Sequence, residues 1–183
     1  MKIKKVEIQA FRAYNLKNNG IFDFTLENER TSNFVAIYAP NGFGKSSFYD
    51  AVEWAITNNL ERISGDYNRK NNELAANSTK QDGIGQKILR NTDAAEKTKT
   101  SVTVFTTWKN YTRTLKKPRS DSRDIQIKNN KKKEANYFSQ VILSQDAIDR
   151  FLREAKPQDR YSQFMNHFGD ASEITRQKIT AHY

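Results

Sequence analysis

The chain of 183 residues has no cysteine, two histidines and three prolines. Without cysteine there is no disulfide framework, no thiolate metal site and no cysteine nucleophile. His167 and His182 alone leave little for an imidazole-based metal site. Acid–base and metal chemistry therefore fall to carboxylates, hydroxyls and amides. Also missing is any run approaching the roughly 20 apolar residues that cross a bilayer, and the N-terminus alternates Lys with apolar residues where a signal peptide has its apolar core. These absences predict a cytoplasmic protein with no membrane partner.

What is present suits a folded domain. The hydrophobic share is 36%, the charged share 28%, and eleven Phe and eight Tyr offer ample apolar area to bury. The net charge of +10 is unevenly placed. Residues 109–133 hold ten Lys or Arg against Asp121 and Asp124, a local net charge of +8. Lys116, Lys117, Arg119, Lys131, Lys132 and Lys133 are the candidate contacts to a polyanion such as DNA, because neutralising phosphates releases condensed counterions. A solvated loop is the plainer reading of the same charges.

Hydrophobic periodicity predicts a strand over residues 2–9 and a second over 21–26. The Asn18-Asn19-Gly20 turn between them makes an antiparallel pair. Residues 33–38, NFVAIY, are a nearly continuous apolar run, as in a strand buried on both faces of a sheet. After a glycine-bearing loop, KSSFYDAVEWAIT places Phe48, Val52, Ala55 and Ile56 at helical spacing, which reads as an amphipathic helix. Residues 58–99 are polar and Asn-rich, with a helix expected near 86–91. Residues 102–107 and 111–115 read as a hairpin and 124–127 as a third strand. Residues 137–143 read as a buried strand, and 146–154 and 158–168 as helices divided by Pro157.

The segment Ala39-Pro40-Asn41-Gly42-Phe43-Gly44-Lys45-Ser46-Ser47 fits the phosphate-binding loop, with Ala39 where the first glycine usually stands. Gly42 and Gly44 let successive amides point into one cavity, and the helix that follows adds its positive end. A triphosphate is the natural occupant. Lys45 would reach its β- and γ-phosphates, Ser46 would coordinate Mg2+, and Ser47 could bond the α-phosphate. The loop alone does not choose among kinases, GTPases and transport or chromosome ATPases.

Three blocks together resemble the start of SMC, SbcC and RecF-like ATPase heads: Ala10-Phe11-Arg12 ending a strand, the loop core from Pro40 to Ser47, and the helix Asp50-Ala51-Val52-Glu53-Trp54-Ala55-Ile56. Val141-Ile142-Leu143-Ser144-Gln145 is similar to that family's Q-loop, and Phe151, Leu152, Pro157, Arg160 and Phe168 to the segment after it. The resemblance implies an α/β P-loop NTPase of ABC-ATPase head type. Its mixed sheet has N-terminal antiparallel strands around a central P-loop strand and helix. Residues 1–169 would be the N-terminal lobe and 170–183 the start of a coiled-coil helix, in a chain that is truncated.

By the same resemblance Gln145 joins Lys45 in catalysis and reaches Mg2+ beside Ser46, while Arg12 approaches a nucleotide phosphate. Where the family often follows this Arg with Ser, Ala13 stands here, so one hydroxyl contact is missing. Glu53 reads as an outward or supporting residue. The chain has no apolar run ending in Asp-Glu and no Ser-Gly-Gly. The implied partners are its own C-terminal ATPase lobe, a second head in a homodimer, DNA, and an effector such as a nuclease. The implied activity is ATP hydrolysis in genome maintenance or anti-phage defence. The Asn-rich insertion and the SQDAIDRFLRE segment are similar to defence SMC-like proteins of Lamassu type. A non-catalytic nucleotide-binding assembly module is the alternative, and a nucleotide kinase is disfavoured because nothing after Lys99 is arranged like a lid.

Overall fold

Alternation of apolar and polar residues along 3–9 and 101–106 dictates strands with one face in and one face out, and the computed structural model shows both. It describes residues 1–60 and 88–115, with the further positions 141, 157, 158, 160 and 161. The chain divides into two units, Met1–Phe138 and Ser139–Tyr183, and the architecture that follows is that of the first.

Strand β1 (Ile3–Gln9) lies between β2 (Ile21–Asp23) and β3 (Ser101–Thr106), and β4 (Tyr111–Thr114) closes the order β2-β1-β3-β4. All three pairings are antiparallel, with Val6 opposite both Phe22 and Val104. The antiparallel pair expected at the N-terminus is therefore present, but β2 stops at Asp23, short of residue 26. The Thr25 amide donates to Asp23 Oδ1 at 2.9 Å, a local turn that competes with the ladder. The 18–20 turn is a short 3-10 segment, Lys17–Gly20. Gly20 is obligatory there, since a Cβ would meet the Ile8 carbonyl oxygen at 2.1 Å.

Helix α1 (Lys45–Thr57) packs on the inner face of the sheet against β1, β3 and β4. Val6, Ile8, Val102 and Val104 from the sheet and Ala51, Trp54 and Ala55 from the helix form the core. Phe11 stacks on Trp54 with ring centroids 5.4 Å apart. Full burial of one such aliphatic side chain stabilises the fold by about 1.5–3 kcal/mol. Every residue from Asp50 to Thr57 is buried, so the second half of α1 is enclosed on all sides and is not amphipathic as its spacing suggested.

Three further expectations are corrected. Residues 33–38 form no strand among the described residues, and Phe34, Val35, Ile37 and Tyr38 are exposed. A strand buried on both faces needs hydrogen-bonded neighbours and covering layers, and the four-stranded sheet supplies neither to this run. Residues 88–91 are not helical, because their backbone groups are spent on the turn at 10–12: Leu89 O accepts from Arg12 N at 2.7 Å and Asn91 N donates to Ala10 O at 3.0 Å. Val141, the one described position of the expected 137–143 strand, is helical. Short apolar runs do not separate strand from helix by periodicity.

Pro157, Gln158, Arg160 and Tyr161 are helical. The 124–127 strand, the 146–154 helix, the remainder of 158–168 and the 170–183 coiled-coil start lie outside the described residues. Among the described residues no helix is long and apolar enough to cross a membrane.

Candidate phosphate-binding site

The loop from Ala39 to Gly44 enters α1 through two left-handed residues, Gly42 at φ 88° and Gly44 at φ 91°. A side chain at either position would be strained, which is the physical reason that both are glycine. Around Gly42 a Cβ would meet nothing within 4 Å, so the backbone there borders open space that a ligand can enter. Gly44 is the N-cap of α1 and offers no side-chain oxygen, and no side chain caps the helix. At most helix starts a Ser, Thr, Asp or Asn satisfies one of the first amides. Here the amides of the first turn remain available to an anion, on the positive end of the helix dipole.

Asn41, Gly42, Phe43, Lys45 and Ser46 are exposed, Gly44 is half-buried and Ser47 is buried. Lys45 Nζ donates to the carbonyls of Ala39 and Pro40, the latter at 2.9 Å, folding its ammonium back over the entrance to its own loop. Both contacts are exposed and easily exchanged for phosphate oxygens. Residues 41–47 wrap the start of α1, and their donor set suits a polyphosphate. Mg2+ binds through few protein oxygens plus substrate phosphates, and Ser46, exposed at the start of α1, carries a hydroxyl oxygen of that kind. Among the described residues there is no cluster of three His, Asp or Glu that could hold a metal by itself.

Arg12, expected to approach a nucleotide phosphate, is held in an ion pair at its Nε. Its Nε lies 3.0 Å from Oδ2 of Asp50, which is 1% exposed. The pair joins the 10–14 turn to α1 just behind the loop. The turn carries unusual backbone: Ala10 and Arg12 have φ of 50° and 46°. The left-handed region costs a residue with a Cβ of order 1–2 kcal/mol, so the surroundings must impose it. They do so through Phe11 N to Tyr14 O and Tyr14 N to Phe11 O, both 2.8 Å, and through the contacts to Leu89 and Asn91. Arg90 braces that second segment by donating to Thr98 O at 2.7 Å and Ala95 O at 2.7 Å.

Tyr14, Arg90 and Asn91 were not singled out by the sequence, and Asp50 entered only as the first residue of the helix block. Asp50 carried a readable signal, an acid among residues otherwise fit for a buried helix face, which demands a partner. Glu53, read as outward or supporting, is 5% exposed and points into the folded unit. Of the basic strip, Lys109 lies over the Trp108 and Tyr111 rings. Arg113 donates Nε to Ala55 O at 3.0 Å on the helix side of the sheet, a packing role rather than a surface one. Gln145, Lys116, Lys117, Arg119, Lys131, Lys132 and Lys133 lie outside the described residues.

No curated protein and no solved structure matches the chain significantly. A family described as AAA domain matches residues 5–181, spanning both the loop and the segments on either side of it. With that match over nearly the whole length and a glycine loop opening an uncapped helix, the chain belongs to the AAA domain family of P-loop, nucleotide-binding ATPases.

Proposed function

We propose that the chain is the ATP-binding lobe of an SMC-like, DNA-associated ATPase, whose heads close on ATP and couple closure and hydrolysis to DNA binding. The observation that carries the nucleotide part is the uncapped start of α1 behind Gly42 and Gly44, with Lys45 at the entrance. ATP bound there with Mg2+ would supply the phosphoanhydride that is cleaved once the heads have closed on it. The loop amides and Lys45 hold and orient the phosphates, Ser46 gives the metal an oxygen, and Gln145 is its proposed second protein contact.

The DNA part rests on the concentration of ten Lys or Arg in residues 109–133 and on the likeness of the loop and its neighbours to SMC-type heads. In this reading hydrolysis requires a C-terminal lobe and a second head in a homodimer, the protein is cytoplasmic, and the role lies in genome maintenance or in defence of the Lamassu kind. A nuclease or other effector is the further partner. A non-catalytic assembly module would use the same loop without turnover.

The test is ATPase activity of the full-length gene product, with and without DNA, for wild type and Lys45→Ala. Lys45→Ala should weaken ATP binding about 10- to 150-fold, following the roughly 1.5–3 kcal/mol of a hydrogen bond to a charged group, and turnover should disappear with it. DNA-stimulated turnover supports the motor. Wild-type protein that binds ATP yet stays inert with DNA selects the assembly module.

A further inference from the structure

The carbonyl of Gly44 accepts two hydrogen bonds: the first bond of α1, from Phe48 N at 2.8 Å, and one from the Tyr14 hydroxyl at 3.1 Å. The two donors reach it from different elements, one from the helix and one from the turn that follows β1. An acceptor held from two directions cannot swing, so the plane of the Gly44–Lys45 peptide is fixed. No peptide among the described residues is cis. In a trans peptide the N–H points opposite to the C=O, so fixing the Gly44 oxygen toward Tyr14 and Phe48 aims the Lys45 N–H the other way, out of the helix start.

Glycine alone would not hold this arrangement, because at φ 91° it is the residue with the most backbone freedom to lose. Tyr14 is itself held. It is buried, and its ring meets Phe22 edge-on at 5.7 Å; Phe22 meets Phe48 at 4.7 Å, and Phe48 meets Phe24 at 6.3 Å. Edge-to-face contacts of this kind fix ring orientation as well as bury area. The fit is close: a Cβ on Gly44 would lie 3.2 Å from both the Tyr14 hydroxyl oxygen and Ala13 Cβ. Burial raises the hydroxyl's pKa above its ordinary 10.0, so Tyr14 remains a donor throughout the neutral range.

We propose that Tyr14 is a positioning residue for the nucleotide: its hydroxyl locks the Gly44 carbonyl so that the Lys45 amide is presented to phosphate in advance of binding. This rests on the ATP-binding reading of the loop and adds a residue outside the motif to it. Pre-orientation of a donor matters because a loop that must order itself on binding loses affinity by the cost of ordering. The hydroxyl is thus expected to act on phosphate affinity while the ring acts on the fold.

The test titrates the full chain with a fluorescent ATP analogue, with competition by ATP and by inorganic tripolyphosphate, for wild type, Tyr14→Phe and Lys45→Ala. Melting midpoints are recorded without ligand. The expected result is that Tyr14→Phe loses about 3- to 10-fold in affinity for ATP and for tripolyphosphate alike, while its ligand-free midpoint stays within about 3 °C of wild type. Equal loss for the two ligands places the effect at the phosphates and not at the base.

Wild-type affinity in Tyr14→Phe overturns the proposal, whatever its midpoint, since a purely structural bond alters the midpoint and leaves the affinity of folded protein unchanged. Failure of Tyr14→Phe to fold also overturns it, by making the hydroxyl a requirement of the fold. Binding of neither ligand by wild type, with Lys45→Ala indistinguishable from it, brings down the nucleotide reading first and the Tyr14 role with it.

Discussion

Two segments approach the phosphate loop from opposite ends, and they are held very differently. Residues 10–14 meet its helix end: Tyr14 donates to Gly44, Arg12 pairs with Asp50, and the backbone is tied to residues 89–91. Residues 33–39 lead into its entry end, and there Phe34 is 83% and Tyr38 94% exposed. Both segments are rich in apolar and aromatic residues. The difference teaches that apolar character places a segment inside only where backbone partners and a facing layer exist. The turn has both in α1 and residues 88–91, whereas the entry run has neither among the described residues.

The strongest way to break the comparison is to cut the tie between the turn and α1. Arg12→Ala leaves the Asp50 carboxylate buried without its guanidinium and should destabilise the fold by roughly 3 kcal/mol, the low end for a broken buried pair because Arg12 is itself partly exposed. Arg12→Gly removes the same ion pair but relieves the left-handed backbone at φ 46°, so it should be about 1 kcal/mol less damaging than alanine. Urea denaturation of both variants measures the two quantities. Equal losses for Ala and Gly would show that Arg12 carries no backbone strain, and a loss below about 1 kcal/mol for both would show that the turn is held without the ion pair.

How far the sequence made this legible follows from where each signal resides. The loop was readable because Gly42, Gly44 and Lys45 answer to local requirements, positive φ and a charge at a helix start, which neighbours in sequence fully determine. Strands β1, β3 and β4 were readable for the same reason, since alternation records which face is buried. The turn at 10–14 was not, because nothing in Ala10 or Arg12 announces a positive φ that is imposed by Leu89 and Asn91, nearly 80 residues away. The ion pair of Arg12 with the buried carboxylate of Asp50 was equally hidden, because the two lie 38 positions apart in the chain and only the fold brings them together. The run 33–38 misled in the opposite sense, its apolar character standing for burial that the described sheet does not provide.

The entry segment sharpens the comparison from the other side. Phe34→Ser and Tyr38→Ser should each change the folding free energy of the chain by no more than about 0.5 kcal/mol, as for surface substitutions away from packed features. Loss of an equally apolar residue from the turn, by contrast, would open a cavity beside Trp54. A loss above about 1 kcal/mol at either position, read from the same urea curves, would mean that the segment is covered in the folded chain in solution and that the two ends of the loop are held alike.

The smallest effect concerns a tie on the outer face, where Glu7 bridges two cations, Lys5 at 2.7 Å and Lys17 at 3.1 Å. The hydrogen bond from Lys5, then that from Lys17, holds the Glu7 carboxyl below its ordinary 4.5. A carboxyl depressed in the folded state binds fewer protons there than when unfolded, so its contribution is complete above about pH 4.5 and is lost as pH falls through the lower folded value. The Glu7 side chain is half-buried but its cations reach into solvent, Lys17 at 54% exposure, so solvent and salt screen the pair and only a few tenths of a kcal/mol are expected. Wild type should therefore lose slightly more stability than Glu7→Gln between pH 5 and 3, and the gap should close in about 1 M salt, where the screening length is near 3 Å. A gap that survives salt would place this pair with the buried tie at Arg12 and Asp50 instead of apart from it, because only charges shielded from solvent keep their interaction under those conditions.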